Sequence, residues 1–200
     1  MVGARSDQNL AMRILREPDF AARQRQNVIR LCEAAFAEDF GRLFTRRPGA
    51  MHLLAFQDEV LVGHACWASR RLRMEDRTDL AAAWVEAVAV DPLRQRQGIG
   101  SKLMARVAAE IRGATIGALT ATDVPFYERL GWERWSGDAV EGRADEQLVP
   151  LTEPLMILRL PKSPASRPSG PVIVGVREPV VVDGGTLARS VPHLLEEPAG

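Results

Sequence analysis

Two hundred residues, 46% of them hydrophobic, with 26 basic against 26 acidic side chains, describe a chain long enough for one packed domain. A formal net charge of +0 removes the bulk attraction that draws basic proteins to polyanions, so the expected partner is a small ligand, with no nucleic acid and no membrane. No apolar run approaches the roughly 20 residues of a bilayer span, and MVGARSDQNL lacks the apolar stretch of a signal peptide, which predicts a soluble, cytoplasmic protein.

After this polar start, AMRIL (Ala11 to Leu15) predicts a first strand. Pro18 opens a helical pattern in which Val28, Leu31, Cys32, Ala35 and Phe36 share one face, ending near Glu38 and Asp39. GRLFTRRPGA follows as a loop or short helix. MHLLAFQ and VLVGHACWASRR, joined by a short polar link at Asp58 and Glu59, predict an antiparallel hairpin. WVEAVAV (Trp84 to Val90) continues the sheet and runs into Asp91, Pro92 and a glycine stretch. From Ile99, the positions Leu103, Met104, Val107, Ala108 and Ile111 mark a helix closed by Gly113. IGALTA predicts another strand, VPFYERLG a short helix ended by Gly131, and QLVPL and LMILRL two final strands.

Seven of the thirteen prolines lie from Pro161 onward, which divides the chain into a folded domain at 1–160 and a proline-rich tail at 161–200. The tail is expected to be partly disordered or, through PVIVGV and PVVVDGG, to add a short hairpin. Cys32 and Cys66 fall inside apolar patterns rather than at metal-ligand spacing, so they read as reduced core thiols, with no metal site. His52 and His64, in the hairpin, read as packing residues, and His193 as a solvated residue of the tail.

RQRQGIGSKL (Arg94 to Leu103) carries the strongest chemical signal, because two glycines beside a helix start let backbone N–H groups approach a phosphate. The dinucleotide fingerprint fails, since Leu103 stands where its third glycine belongs, and the mononucleotide loop fails because its spacing and Lys-Ser order are absent. The pattern that fits is Q-x-x-G-x-G, Gln95 to Gly100, between a strand and a helix N-terminus. Simple helix capping is the alternative for the same glycines. Glu86, a carboxylate within an otherwise apolar strand, needs either a task or a partner, the partner being an arginine such as Arg70 or Arg73. Alternation puts Trp84, Glu86 and Val88 on one face, so Trp84 and Glu86 are expected to look into one cleft.

The glycine loop, followed about 25 residues later by PFYERLGW (Pro125 to Trp132), resembles the two signatures of the GNAT superfamily of N-acetyltransferases. The resemblance implies an α+β fold, the GNAT fold, with a central mixed, mostly antiparallel sheet flanked by helices, covering Met12 to about Leu160. It implies acetyl-CoA as cosubstrate, its pyrophosphate held by Gln95, Arg96, Gln97, Gly98, Ile99, Gly100 and Ser101. Backbone N–H groups at a bulge across Val88, Ala89 and Val90 are expected to hold the thioester oxygen and pantetheine arm. Glu86 is expected to accept the amine proton. Tyr127, the chain's single tyrosine, is expected to protonate the leaving thiolate, as a phenol with a reference pKa of about 10 can at neutral pH. Relatives pair through their last strands, so the resemblance also admits a homodimer.

AFAEDF (Ala35 to Phe40), the M-H hairpin and WVEAVAV are similar to stretches of the aminoglycoside 2'-N-acetyltransferases, over roughly residues 28–135. This implies an aminoglycoside-like amine, acetylated at its 2' position, with Asp39, Trp84 and Glu86 contacting the substrate. An antibiotic-resistance role goes with it. Where that family carries an acid and a tryptophan in the last strand, LMILRL offers Leu158 and Arg159. Either Asp138, Glu141, Asp145 and Glu146 supply the missing carboxylates, or the ligand is a smaller sugar such as kasugamycin. Two other readings stay open: the same fold acetylating a peptide, protein or other small amine, and a coenzyme-A-binding module without catalysis.

Overall fold

The hydrophobic segments pair into one large sheet. The computed structural model describes residues 10–175, apart from 38, 41–48, 77 and 143–146. β1 (Ala11–Arg16) runs antiparallel to β2 (Met51–Gln57), which turns through Asp58 and Glu59 into β3 (Val60–Met74). Both turn residues have positive φ, 48° and 62°, the mirror-image turn whose twist suits a two-residue hairpin. β4 (Asp79–Val90) pairs antiparallel with β3 and parallel with β5 (Ile116–Thr120). β6 (Glu133–Arg134) and β9 (Leu155–Arg159) extend the β5 side. On the far side of β3 lie β10 (Val172–Val174), β7 (Ala139–Gly142) and β8 (Leu148–Pro150).

Period 2 along β2 sends neighbours to opposite faces, and the helices divide accordingly. Leu53 packs with Leu103, Met104 and Val107 of α2 (Ile99–Glu110), whereas Leu54 packs with Val28, Leu31 and Cys32 of α1 (Ala22–Phe36). The α2 face is tight: a Cβ on Gly63 would lie 2.8 Å from Leu103 Cδ1 and 3.3 Å from Ala55 Cβ, so any larger residue there would have to push Leu103 aside. Each of these fully buried side chains contributes on the order of 2 kcal/mol by leaving water. Both cysteines are buried and unbridged. No helix among the described residues is long and apolar enough to cross a membrane.

Two expectations need correction. Pro18 does not open α1; it sits in a single 3-10 turn (Glu17–Asp19), and the helix begins at Ala22, after Phe20 has been buried. β4 starts at Asp79, five residues before Trp84, where Asp79 accepts from both Arg71 and Arg73 across the ladder. The sheet also continues past residue 160: Val172–Val174 inserts antiparallel to β3 and parallel to β7, while PVVV lies outside the described residues. Val172 and Val174 are buried there, so apolar patterning prevails over the proline-rich composition around it. Glu38, most of GRLFTRRPGA, Asp145, Glu146 and His193 likewise lie outside the described residues.

Candidate functional site

The site begins where two parallel strands part. The β4–β5 ladder runs from Ala82/Ile116 to Trp84/Ala118 and stops. Beyond it, a cleft of about 1010 Å³ opens between Val85–Val90 and Leu119–Asp123. β4 is bent away by an extra residue: His64 pairs with Ala89 and Cys66 with Glu86, leaving Ala65 opposite both Ala87 and Val88. Ala87 has φ 51°, a left-handed conformation that costs an alanine on the order of 1 kcal/mol and persists only where its surroundings hold it. Strict alternation therefore ends at Glu86. Val88 and Val90 line the cleft, while Ala89 is 1% exposed and packs under α1.

The glycine loop closes one end of the cleft. Asp91 organises its start, accepting from Leu93 N–H at 3.0 Å and pairing with the Arg94 guanidinium. Arg96 and Gly98 both take positive φ, 59° and 83°, and turn the chain into α2 with no side chain capping its first N–H groups. Those donors and the helix dipole suit an anion. Gly100 faces Phe126, where a Cβ would sit 3.3 Å from the ring. Arg94, Gln95, Arg96, Gly98, Ile99, Gly100 and Ser101 line the cleft. Gln97 does not: its amide turns back to the Leu93 carbonyl at 3.5 Å, because the turn at Arg96 directs it outward. The loop therefore has the open backbone, free helix start and cations that a pyrophosphate requires.

Glu86 lines the cleft and is also held by a partner. Arg70 donates to it at 3.1 Å and to Glu141 at 3.0 Å. Trp84 is a correction: it does not line the cleft but lies 5% exposed beneath Arg70, whose guanidinium carbon is 4.6 Å from its ring centroid. The reason is topological, since Trp84 is still paired with Ala118 in the closed part of the sheet.

Tyr127 faces the same cleft from α3 (Val124–Glu128). Asp123 caps that helix by accepting from Phe126 N–H at 3.1 Å, and Gly131 ends it at φ 83°. The Tyr127 ring stands edge-on to Phe126 and Trp132 at 5.0 and 6.0 Å. Burial, reinforced by the Asp123 and Glu153 carboxylates, pushes its phenol up to about 12. The proton is thus firmly held at neutral pH.

Asp39 is exposed and is not part of the lining, although Phe36 and Phe40 beside it are. Sequence reasoning missed Arg94, Arg129, Asp123 and Glu153, all of which line the cleft. Asp123 carried a legible signal as a helix cap before Pro125; Glu153 sits in the turn before β9 and carried none.

Comparison with known proteins agrees with this geometry. The acetyltransferase (GNAT) domain model matches residues 20–135, and the chain belongs to that family. An aminoglycoside 2'-N-acetyltransferase of Mycolicibacterium fortuitum is 33% identical over 129 residues, covering 62% of this chain and 66% of that protein. Among solved structures, the GNAT family N-acetyltransferase YhbS of Escherichia coli, in complex with CoA, superposes with a TM-score of 0.61 at 16% identity, covering 86% of this chain and 93% of that one. Eis1 of Mycobacterium abscessus gives 0.55 at 22%, over 66% of this chain and only 33% of its own. These structural likenesses establish the fold, an α+β GNAT fold.

Proposed function

We propose that this GNAT chain is an acetyl-CoA-dependent N-acetyltransferase whose acceptor is an aminoglycoside-like amine, acetylated at the 2'-amino group. The observation that carries the reading is the parting of β4 and β5, which sets Glu86 and Tyr127 in one cleft whose end is the glycine loop. The 33% identity to an aminoglycoside 2'-N-acetyltransferase supports the choice of acceptor.

Bound acetyl-CoA supplies an acetyl thioester. The α2 N-terminus with Arg94 and Arg96 holds its pyrophosphate, and Gly98 and Gly100 keep the backbone clear. Backbone N–H at the Ala87–Val88 bulge donates to the thioester oxygen as that oxygen gains charge. Glu86 takes the proton of the incoming ammonium, directly or through water, while Arg70 keeps it oriented. Tyr127 donates its proton to the departing sulfur and, as the phenolate, takes up the second proton that the nitrogen sheds on becoming an amide; its site holds that proton at neutral pH. Direct transfer in a ternary complex follows, because the buried Cys32 and Cys66 do not line the cleft as nucleophiles. Glu86, Asp123 and Glu153 make its carboxylate lining suited to a polycationic sugar, and Asp39 stands just outside.

A thiol-release assay with kasugamycin, gentamicin, tobramycin and amikacin tests this. Turnover of gentamicin and tobramycin with amikacin spared, since its 2' position bears a hydroxyl, is the expected pattern. Turnover of kasugamycin alone places the site on a smaller sugar. Failure with all of them, alongside turnover of a peptide amine, overturns the acceptor assignment; binding of CoA with no turnover of any amine overturns the enzyme.

A further inference from the structure

A buried polar line runs behind the cleft, and no step above uses it. Arg25 of α1 donates to Glu17 Oε1 at 2.6 Å. Glu17 Oε2 lies 2.8 Å from His52 Nε2, His52 Nδ1 lies 3.0 Å from His64 Nε2, and His64 Nδ1 lies 2.9 Å from the Ala87 carbonyl oxygen. Both histidines are 0% exposed, with the Phe20 ring 4.5 Å from that of His52. Cys32 of α1 brings its sulfur to 3.9 Å from His64 Nδ1, and Cys66 of β3 donates to the Glu86 carbonyl at 3.4 Å.

The line holds one proton more than two neutral imidazoles supply. A carbonyl oxygen only accepts, so His64 Nδ1 carries hydrogen and, in a neutral ring, His64 Nε2 accepts from His52 Nδ1. His52 Nε2 then faces a carboxylate. Two neutral imidazoles bring two protons to three links, so the third link closes only with one extra proton, on His52 or on Glu17. His52, His64 and Cys66 bring ligand atoms within 4.8 Å of one another, so a shared metal ion is the competing occupant, to be separated from a proton by experiment.

We propose that this protonated Glu17–His52–His64 line is a positioning device that aims the Val88 N–H into the cleft. The peptide joining Ala87 to Val88 is trans, so its N–H points opposite to its carbonyl. His64 on β3 holds the carbonyl, which turns the N–H away from β3, toward the side that β5 has vacated. Val88 lines the cleft there, and the left-handed Ala87 is the strained residue being held. The charged and titratable groups facing the line are Arg25 and Cys32 from α1, Glu17 from the 3-10 turn and Cys66 from β3, whose thiol donates to the Glu86 backbone carbonyl. His64 is accordingly a positioning residue for the donor to the thioester oxygen. Its effect on turnover rests on the acetyl-transfer reading; the trapped proton and the aimed N–H do not.

The test uses full-length wild type, His64→Leu, His64→Asn and Glu17→Gln. Histidine 15N NMR of the wild type is expected to show three bound protons over the four ring nitrogens of His52 and His64, or two with a protonated Glu17 in the infrared spectrum. In Glu17→Gln the amide donates to His52, so the extra proton disappears from both spectra. Wild type is expected to bind acetyl-CoA about fivefold more tightly than CoA by calorimetry. His64→Leu loses that preference while its affinity for CoA stays within twofold, and its kcat falls at least tenfold. His64→Asn, whose amide still reaches the Ala87 carbonyl, recovers most of both; if the leucine variant does not fold, the asparagine variant and the spectra decide. A folded His64→Leu that keeps the acetyl-CoA preference overturns the proposal, as does an equivalent of bound metal by mass spectrometry. A wild type that prefers acetyl-CoA yet acetylates no amine overturns the proposed function and leaves the positioning line intact.

Discussion

Arg70 lies 3.1 Å from Glu86 while being only 9% exposed itself, so this carboxylate of the cleft is anchored from inside the sheet. Glu141 at 3.0 Å and the Trp84 ring at 4.6 Å hold Arg70 in turn. Breaking such a pair from one side leaves a charge without its counterpart, which costs more than removing both. Arg70→Met is expected to lose about 3 kcal/mol of stability in urea unfolding, and Arg70→Met with Glu86→Leu to regain much of it. Equal stability of the single and double variants would contradict the anchoring role.

For Tyr127 the sign of the pH effect is fixed by burial, which raises the phenol to about 12. The folded state keeps its proton through the range in which an unfolded tyrosine, near 10, gives it up. The associated stability is therefore full below about pH 10 and is lost as pH rises toward 12. Below pH 10, Tyr127 stays protonated, so any alkaline fall in kcat in that range belongs to another group. Tyr127→Phe is expected to lower kcat about 100-fold with CoA affinity unchanged and the alkaline limb in the same place. A limb that moves on this substitution would show the phenol titrating earlier.

The two glycines of the loop act differently. Gly98 at φ 83° has no atom within 4 Å of a would-be Cβ, so Gly98→Ala carries backbone strain alone, about 1 kcal/mol. Gly100 is not strained, but its Cβ would meet Phe126 at 3.3 Å and Val90 at 3.7 Å, at the mouth of α2. Gly100→Val is expected to weaken CoA binding at least tenfold by calorimetry while shifting the melting temperature less than Gly98→Ala does. The reverse order would mean that Gly100 serves packing rather than the ligand.

The loop, Glu86 and Tyr127 were legible because each is a local exception: glycines at a helix start, a charge in an apolar strand, a lone tyrosine in an aromatic motif. Trp84, Gln97 and the Ala89 side chain do not line the cleft. Their orientation depends on where a ladder ends, on the positive φ at Arg96 and on the extra residue at Ala87, none of which alternation reports. His52 and His64 were read as packing, and they are buried, yet their hydrogen bonds link β2, β3 and β4 and so depend on strand register. β10 falls within PVIVGV, which its apolar run marks as strand-like, while its pairing with β3 and β7 is tertiary and no local pattern reports it.

The strand Val172–Val174 carries the last prediction. It bridges β3 and β7, and the segment before it is tied down by Trp135 Nε1 donating to the Gly170 carbonyl at 2.7 Å. Gly137 permits that approach, since a Cβ there would lie 2.3 Å from the same oxygen. Val172 and Val174 bury their side chains against Leu72 and Trp135 in the cluster that also holds Trp84, the residue under Arg70. Ending the chain after Leu160 strips a strand from between β3 and β7 and uncovers that cluster, so it should destabilise the fold by several kcal/mol, at about 2 per buried valine. It should also lower turnover, by loosening Arg70 and with it Glu86. Ending the chain after Gly175 keeps the strand and should preserve both stability and turnover. Urea unfolding of the two truncations beside the full chain decides the matter, and equal midpoints for the shorter truncation and the full chain would show that β10 is dispensable.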